Sequence, residues 1–197
     1  ALTCGATSFS MEEVAAPAVI ELVRSFCNAH PTRAAFECFR FEELGVPQTR
    51  LRLLVGSPSL IAHLMRVREE QNVCSAGEVL SNPQGTHIWN YLYYTKMRSR
   101  HNARKPGEAK FLYFKEGFGT GCIPLSRPAP TVVAARGNCW VTLDDGEKKT
   151  FGSLTVQQDA QLQTFPNSYC FYGNTTEQRR MVGNSVPPRV ARLLLEG

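Results

Sequence analysis

The chain has 197 residues, 43% of them hydrophobic, and a formal net charge of +5 from 22 Lys and Arg against 17 Asp and Glu. This is enough for one ordinary domain or two small ones with a hydrophobic core, and the mild positive charge permits an anionic partner without requiring one. Seven cysteines without a Cys-x-x-Cys pair and four scattered histidines argue against a disulfide framework or a metal site, and no apolar run reaches membrane-spanning length.

The N-terminal segment predicts a helix. Ser10 precedes Glu13 by three positions, which is the spacing of a capping box, and apolar residues then recur at helical intervals. We therefore expect a helix over about 11–29. Pro17 lies early enough in this span either to be tolerated or to mark the true start of the helix.

A strand pair and a short helix follow. The stretches 34–41 and 51–56 are apolar and rich in strand-forming residues, and the connection between them is short. A short connection favours an antiparallel pair, so we expect a hairpin over 34–56. The pattern of 59–70 then predicts a short helix.

Gln48, Arg50 and Arg52 alternate along the chain where the second of these strands begins. Residues two apart on a strand project from the same face, so the two arginines are expected to point together. A guanidinium can bind a phosphate or a base oxygen through its planar set of donors. The alternative is an edge strand whose charged side chains discourage aggregation.

The middle of the chain, from about residue 73, has short aromatic runs interrupted by Gly, Pro and Asn. Seven basic residues and one acidic residue lie between Thr95 and Lys115, flanked by aromatic side chains. This composition suits a nucleic-acid backbone with bases nearby, but a solvated loop over a small aromatic core is an equal alternative. The stretch 117–121 (GFGTG) predicts a flexible loop, and 131–143 predicts strand.

Helix signals return near the C-terminus. Thr155 and Gln158 have capping-box spacing ahead of a helical pattern. Asn184 and Ser185 precede two prolines and an apolar segment, which predicts an N-cap followed by prolines in the first turn of a last helix. The N-terminus of such a helix can bind an anion, although every helix has this property.

Three of these segments together resemble the DNA cytosine-5 methyltransferase family. GVPQTRLRLLVG (45–56) resembles motif VIII, LTVQQDAQLQTFPNSYCFYG (154–173) resembles motif IX, and QRRMVGNSVPP (178–188) resembles motif X. The motifs occur in the family's order, with a target-recognition segment between the first two. The resemblance implies an α/β fold: the C-terminal part of a Rossmann-like S-adenosylmethionine-dependent methyltransferase domain, plus a small, mostly β target-recognition domain.

The resemblance also implies how the motif VIII residues act. Family members flip the target cytosine out of double-stranded DNA, a Pro-Cys thiolate attacks C6, and the Glu of a Glu-Asn-Val motif engages N3. Arg52 matches the second motif VIII arginine, which contacts the flipped cytosine. Arg50 would serve the same site or a nearby phosphate, and Gln48 completes this catalytic group.

Cofactor and DNA contacts follow from the same resemblance. Asn184, Ser185 and Val186 match the motif X segment that lines the S-adenosylmethionine pocket. Thr120 lies where the family has a loop that fills the gap left by the base, and Thr131 matches a threonine next to the DNA backbone. The full set of expected DNA-binding residues is Thr120, Gly119, Gly121, Thr131, Lys96, Arg98, Arg100, Arg104 and Lys105.

The sequence departs from the family at several positions. No cysteine follows a proline, no Glu-Asn-Val occurs, and the Gly-rich cofactor loop is missing. We therefore expect the C-terminal half of such an enzyme, beginning just past Glu-Asn-Val and inactive without an N-terminal half. Gln158 and Gln161 stand where motif IX usually has Glu and Arg, so neutral hydrogen bonds would replace an ion pair that braces the recognition domain.

The expected domain organisation has three parts. Residues 1–72 form the C-terminal portion of the catalytic domain, 73–150 the target-recognition domain, and 151–197 the motif IX and X helices that return to the catalytic domain. An uncovered apolar face and an open sheet edge predict a partner chain or segment. Reduced thiols predict an intracellular protein of the cytoplasm, nucleoid or nucleus, not a secreted one. The alternative function is a catalytically dead DNA-binding remnant or regulatory partner of a full methyltransferase.

Overall fold

The computed structural model describes residues 8–80, 110–115, 119–134, 139–144 and 149–197, and these form a mixed α/β structure. The strands are β1 (Ser10–Val14), β2 (Ala35–Arg40), β3 (Gln48–Thr49), β4 (Leu51–Gly56), β5 (Lys110–Lys115), β6 (Gly119–Pro124), β7 (Ala129–Pro130), β8 (Cys139–Asp144) and β9 (Lys149–Ser153). The α-helices are α1 (Pro17–Ala29), α2 (Pro58–Glu70), α3 (Ala76–Val79), α4 (Val156–Leu162), α5 (Thr175–Asn184) and α6 (Pro188–Glu196). In this described part, no helix combines the length and apolar character needed to cross a bilayer.

The first sheet has three strands in the order β1-β4-β2, and both outer strands run antiparallel to β4. The expected hairpin between β2 and β4 is confirmed, and α2 confirms the helix expected over 59–70. Because Arg52 lies on β4, the central strand, the alternative interpretation of an edge strand with charged side chains is wrong.

The N-terminal helix prediction is wrong over its first turns. Residues Ser10–Val14 form β1, and the helix begins only at Pro17, where a missing backbone N–H costs nothing. The physical reason is nonlocal, since β4 offers an edge that pairs with β1 from Ser10 opposite Gly56 to Val14 opposite Arg52. Ser10 and Glu13 therefore lie in a strand and do not cap α1, despite their capping-box spacing.

Two apolar layers cover the opposite faces of this sheet. Leu53 and Val55 of β4 pack with Val23 and Cys27 of α1 on one face. Leu54 packs on the other face in a cluster that includes Leu64 of α2 and Val190 of α6. The split follows from the alternation of side chains along a strand, and it leaves even-numbered positions of β4, Arg52 among them, on the α2 and α6 face.

A second sheet has the strand order β6-β5-β8-β9, and every neighbouring pair in it is antiparallel. Strand material expected over 131–143 is found as β8, whereas residues 131–134 are not strand. Gly119, Thr120 and Gly121 belong to β6, so the loop expected over 117–121 is wrong for these three residues. Pairing with β5, Gly119 opposite Lys115, gives their backbone a partner strand.

The C-terminal helices differ from expectation in one respect. Thr155 and Gln158 form the expected capping box at the start of α4. Asn184 is the last residue of α5 and Ser185 is its C-cap, so the expected N-cap role of these two residues is wrong. Pro188 is the first residue of α6, as expected, whereas Pro187 lies one position earlier as its N-cap, and no side chain caps that helix.

Candidate functional site

Arg52 lies on the central strand and pairs with a carboxylate on its neighbour β1. Its Nε lies 2.8 Å from Oε1 of Glu12, and each of the two side chains is 17% exposed. The register places Glu12 opposite Leu54 and Arg52 opposite Val14, so the two residues are diagonal neighbours on one face of the sheet. Arg52 also donates from Nη1 to the carbonyl of Leu51 at 2.7 Å. The result is a guanidinium and a carboxylate fixed side by side with limited access to solvent.

Glu12 was not among the residues that the sequence singled out. The available signal was the run Glu12-Glu13-Val14, which differs from the family's Glu-Asn-Val only in having Glu13 at the Asn position. Because a helix was predicted over 11–29, the similarity of Glu12-Glu13-Val14 to this motif was overlooked. The pairing of β1 with β4 reveals it, because it brings Glu12 to the arginine that the motif VIII resemblance had already marked.

Gln48 is fully buried, and both the nitrogen and the oxygen of its side-chain amide form hydrogen bonds. Its Nε2 donates to the carbonyl of Leu162 at 3.0 Å and to Oε1 of Gln163 at 2.8 Å. Its Oε1 accepts a bond of 2.9 Å from the backbone N–H of Val132. Gln48 therefore links β3 to the end of α4 and to the segment after β7.

Arg50 is 3% exposed and donates through one nitrogen to two distant backbone carbonyls. Its Nη1 lies 3.1 Å from the oxygen of Val132 and 3.1 Å from the oxygen of Gly183. Burial and, to a smaller extent, the nearby charge of Arg52 together lower the pKa of Arg50 to about 10, against the opposing effect of Glu12. The guanidinium of Arg50 therefore remains protonated near neutral pH.

Thr131 follows β7 and is tied to the same stretch of chain. Its hydroxyl donates to the carbonyl of Thr49, and the hydroxyl of Thr49 donates in turn to the carbonyl of Ala129 at 3.3 Å. β3 and β7 are parallel, with Gln48 opposite Ala129. The segment 129–132 is therefore joined to 47–50 by both backbone and side-chain bonds.

The motif X segment lies at the end of α5. Asn184 is exposed, whereas Ser185 and Val186 are half-buried. Ser185 donates from its hydroxyl to the carbonyl of Val182 at 2.7 Å. A Cβ on Gly183 would lie 2.3 Å from the backbone nitrogen of Ala134, so only glycine permits this approach of α5 to the segment after β7.

The motif IX helix shows what replaces the expected Glu and Arg. Gln158 accepts the Thr155 N–H at 2.9 Å within the capping box, and Gln161 donates to Asn167 Oδ1 at 2.9 Å. An ion pair nevertheless exists next to these residues, since Nη1 of Arg179 lies 3.4 Å from Oδ2 of Asp159. Burial raises the pKa of Asp159 to about 7, against the opposing effect of Arg179.

The remaining predicted residues are only partly covered. Gly119, Thr120 and Gly121 are placed by their backbone in β6. The predicted basic DNA-binding residues Lys96, Arg98, Arg100, Arg104 and Lys105 lie outside the described residues. The structure thus brings together Gln48, Arg50 and Thr131 in one network, whose Arg50 also reaches the glycine next to Asn184.

Comparison with known proteins gives a consistent result. The family described as C-5 cytosine-specific DNA methylase matches residues 33–197. The Type II methyltransferase M.NgoFVII of Neisseria gonorrhoeae is 30% identical over 173 residues, which cover 77% of this chain and 46% of that protein. The DNA (cytosine-5-)-methyltransferase M.ApeKI of Aeropyrum pernix is 39% identical over 70 residues, 36% of this chain and 14% of that protein. The chain therefore spans less than half of the length of either relative.

Solved structures with a similar fold are methyltransferases. The Dnmt2 methyltransferase of S. pombe superposes with a TM-score of 0.58 at 11% identity, covering 96% of this chain and 66% of that one. The methyltransferase EhMeth of Entamoeba histolytica gives a TM-score of 0.56 at 11% identity, covering 96% and 61%. At this level of identity the likeness establishes the fold alone, which is Rossmann-like.

Proposed function

Because the chain belongs to the C-5 cytosine-specific DNA methylase family, we propose that it supplies the base-holding and target-recognition half of a DNA cytosine-5 methyltransferase. In this proposal it contributes the contacts to a flipped cytosine, part of the S-adenosylmethionine pocket and the DNA-reading surface. The Pro-Cys nucleophile comes from an N-terminal half or subunit, because no cysteine in this sequence follows a proline. The chain alone is then inactive in methyl transfer.

The pair formed by Arg52 and Glu12 carries the proposal. A flipped cytosine offers O2 and N3 as acceptors and its amino group as a donor. Arg52 supplies donors and Glu12 supplies a carboxyl group, held 2.8 Å apart on adjacent strands and largely removed from solvent. Low solvent exposure strengthens both interactions with a bound base. Glu12 thereby takes the role that the family gives to the Glu of Glu-Asn-Val, and Arg52 orients the base for attack at C6.

S-adenosylmethionine is the methyl donor implied by the family, and the motif X residues fit part of its pocket. Asn184 presents an exposed carboxamide, and Ser185 and Val186 are half-buried beside it. A carboxamide, a hydroxyl and an apolar side chain suit the polar edges and apolar body of a nucleoside. Asn184, Ser185 and Val186 would contact the cofactor, which supplies an electrophilic methyl group when it is bound.

DNA binding is assigned to the second sheet and to the basic stretch before it. Thr131 is half-buried next to β3, and Thr120, Gly119 and Gly121 lie on β6 at one side of the second sheet. The basic residues Lys96, Arg98, Arg100, Arg104 and Lys105 provide charge for the phosphate backbone. We propose that these residues position the duplex and that Thr120 enters it where the base has left.

An N-terminal half would cover surface that the described residues leave open. Leu22 of α1 is 72% exposed and Leu195 of α6 is 88% exposed. Met11 and Val14 of β1, an outer strand of the first sheet, are also exposed. Exposed apolar side chains on α1, β1 and α6 favour a covering polypeptide, and the family's Rossmann-like domain is the expected one.

The experiment that tests the proposal is a pair of arginine substitutions in a reconstituted enzyme. The chain is combined with a polypeptide of the family that carries Pro-Cys, and transfer of labelled methyl groups to duplex DNA is measured. Arg52→Ala is expected to lower transfer at least a hundredfold while duplex binding stays within about twofold, because removal of one charge-stabilising donor at a reacting centre typically costs about 10²–10³ in rate. Arg24→Ala is the matched control, since the ion pair that Arg24 forms with Glu21 is exposed and lies on α1, away from Arg52 in the sequence.

Two results would count against the proposal. Equal loss of binding and transfer in Arg52→Ala would make Arg52 a phosphate contact and not a base contact. Duplex binding without methyl transfer in every combination would favour the alternative, a catalytically dead DNA-binding remnant or regulatory partner. Glu12→Gln adds an independent check, because loss of the carboxyl group is expected to lower transfer without weakening duplex binding.

A further inference from the structure

Arg50 differs from Arg52 in having no access to a flipped base. Its side chain is buried, and its Nη1 is committed to the carbonyls of Val132 and Gly183. In the described part of the chain its Nε has no hydrogen-bond partner, so Nη1 carries the contacts. One nitrogen thus joins two segments that are about fifty residues apart in the chain.

The first segment belongs to the DNA-facing side. Val132 follows Thr131, and both backbone groups of Val132 are held from β3 and its vicinity: its N–H donates to Gln48 and its carbonyl accepts from Arg50. The second segment belongs to the cofactor side. Gly183 immediately precedes Asn184, and its carbonyl lies in the last turn of α5, where no intrahelical donor is available.

A cation is well suited to this second position. Carbonyls at a helix C-terminus carry partial negative charge, and a buried guanidinium both caps them and interacts favourably with the helix dipole. Gln163 reinforces the same helix end by donating to the carbonyl of Val182 at 2.8 Å. Gly183 also touches the backbone of Val133 and Ala134 directly, so the two segments are already in contact where Arg50 bridges them.

We propose that Arg50 is a positioning residue that couples the DNA-facing segment 129–134 to the cofactor-facing segment 182–186. This inference rests on the proposed function for the identity of the two ligands, but the mechanical link does not depend on it. Since Arg50 and Arg52 are two residues apart, the link also fixes the start of the strand that holds the base contact. Arg50 therefore sets the relative position of the three parts of the site without contacting substrate.

Hydrogen exchange of the chain measured by mass spectrometry tests the link without any activity. Arg50→Met is expected to raise exchange at least tenfold in both 129–134 and 182–186, while the β2–β4 pairing stays protected as an internal reference. Arg52→Met is the matched control and should leave both segments as in the wild type. Loss of protection in one segment alone, or in neither, would overturn the proposal.

Arg50→Lys covers the case in which Arg50→Met does not fold. Lysine keeps the charge but is one atom shorter, so it cannot reach both carbonyls in place; faster exchange in both segments supports the link, and wild-type protection refutes it. In the reconstituted enzyme, Arg50→Lys should raise KM for both S-adenosylmethionine and DNA, whereas Arg52→Ala lowers kcat. If no combination methylates DNA, the proposed function is wrong. The hydrogen-exchange result tests the role of Arg50 separately, because it needs no activity.

Discussion

Replacing Asp159 by Asn is expected to remove a pH dependence from the stability of the folded chain. Burial raises the pKa of Asp159 from 3.8 to about 7, and the charge of Arg179, at 3.4 Å, opposes this only in part. The folded state therefore holds the proton more tightly than the unfolded state does. The contribution of Asp159 to stability is fully present below about pH 4 and is lost as pH rises through about 7; a pKa of about 7 in place of 3.8 corresponds to roughly 4 kcal/mol.

Urea denaturation of the wild type and Asp159→Asn from about pH 4 to pH 8 measures the effect. The free energy of unfolding of the wild type minus that of the variant is expected to fall by a few kcal/mol over this range and to level off above about pH 7. Glu21→Gln is the control, because Glu21 is exposed and its difference from the wild type should stay nearly flat. A difference that rises with pH would refute the reasoning, since it would mean that Arg179 outweighs burial.

Three further substitutions test the packing around the site. Gly183→Ala should lower the free energy of unfolding by about 1–3 kcal/mol, because its Cβ would lie 2.3 Å from Ala134 N; wild-type urea midpoints would contradict this. Gln48→Leu should cost about 2–4 kcal/mol by leaving the Val132 N–H and other buried partners unpaired, and faster hydrogen exchange at Val132 checks the cause. Thr155→Ala should cost about 1 kcal/mol through loss of the α4 cap, and thermal unfolding with Thr155→Ser as the conservative control measures it.

Local patterns predicted the elements whose partners are near in sequence. The β2–β4 hairpin follows from two apolar runs and a short connection, and α4 follows from the reciprocal bonds of Thr155 and Gln158. The helix α2 follows from its apolar spacing, with Ser57 as its cap. In each case the information lies within one turn of helix or one hairpin, so the sequence pattern alone specifies it.

The errors arise where a distant partner decides the outcome. Ser10–Val14 has a local helix-start signal, but pairing with β4 outweighs it. Asn184 and Ser185 have a local N-cap signal, but α5 extends through Asn184. Glu12 was missed for the same reason, since only the nonlocal pairing brings it to Arg52. No spacing rule could have shown that Gln48 and Arg50 turn inward to carbonyls more than eighty residues away.

The motif IX segment of this chain has an ion pair, although neutral residues occupy the two positions where the family usually has charged ones. Gln158 and Gln161 are neutral and form hydrogen bonds, as expected from the sequence. Gln158 accepts one within the capping box of α4, and Gln161 donates one to Asn167 in the loop that follows. A charge pair nevertheless joins α4 to α5 one position away, through Asp159 and Arg179. Arg179 also donates to the carbonyl of Leu154 at 2.6 Å, directly after β9.

The ion pair of Asp159 and Arg179 between α4 and α5 depends on pH, which a pair of neutral amides would not. The bond from Arg179 to Leu154 ties α5 to the residue that leaves the second sheet, and Arg50 ties the end of the same helix to the segment after β7. Both cations hold backbone carbonyls, and only Arg179 has a carboxylate partner with a pKa near neutrality. As pH rises to about 7 and Asp159 ionises, the charge facing Arg179 should thus change, whereas Arg50 keeps the same charge and holds its two carbonyls throughout that range.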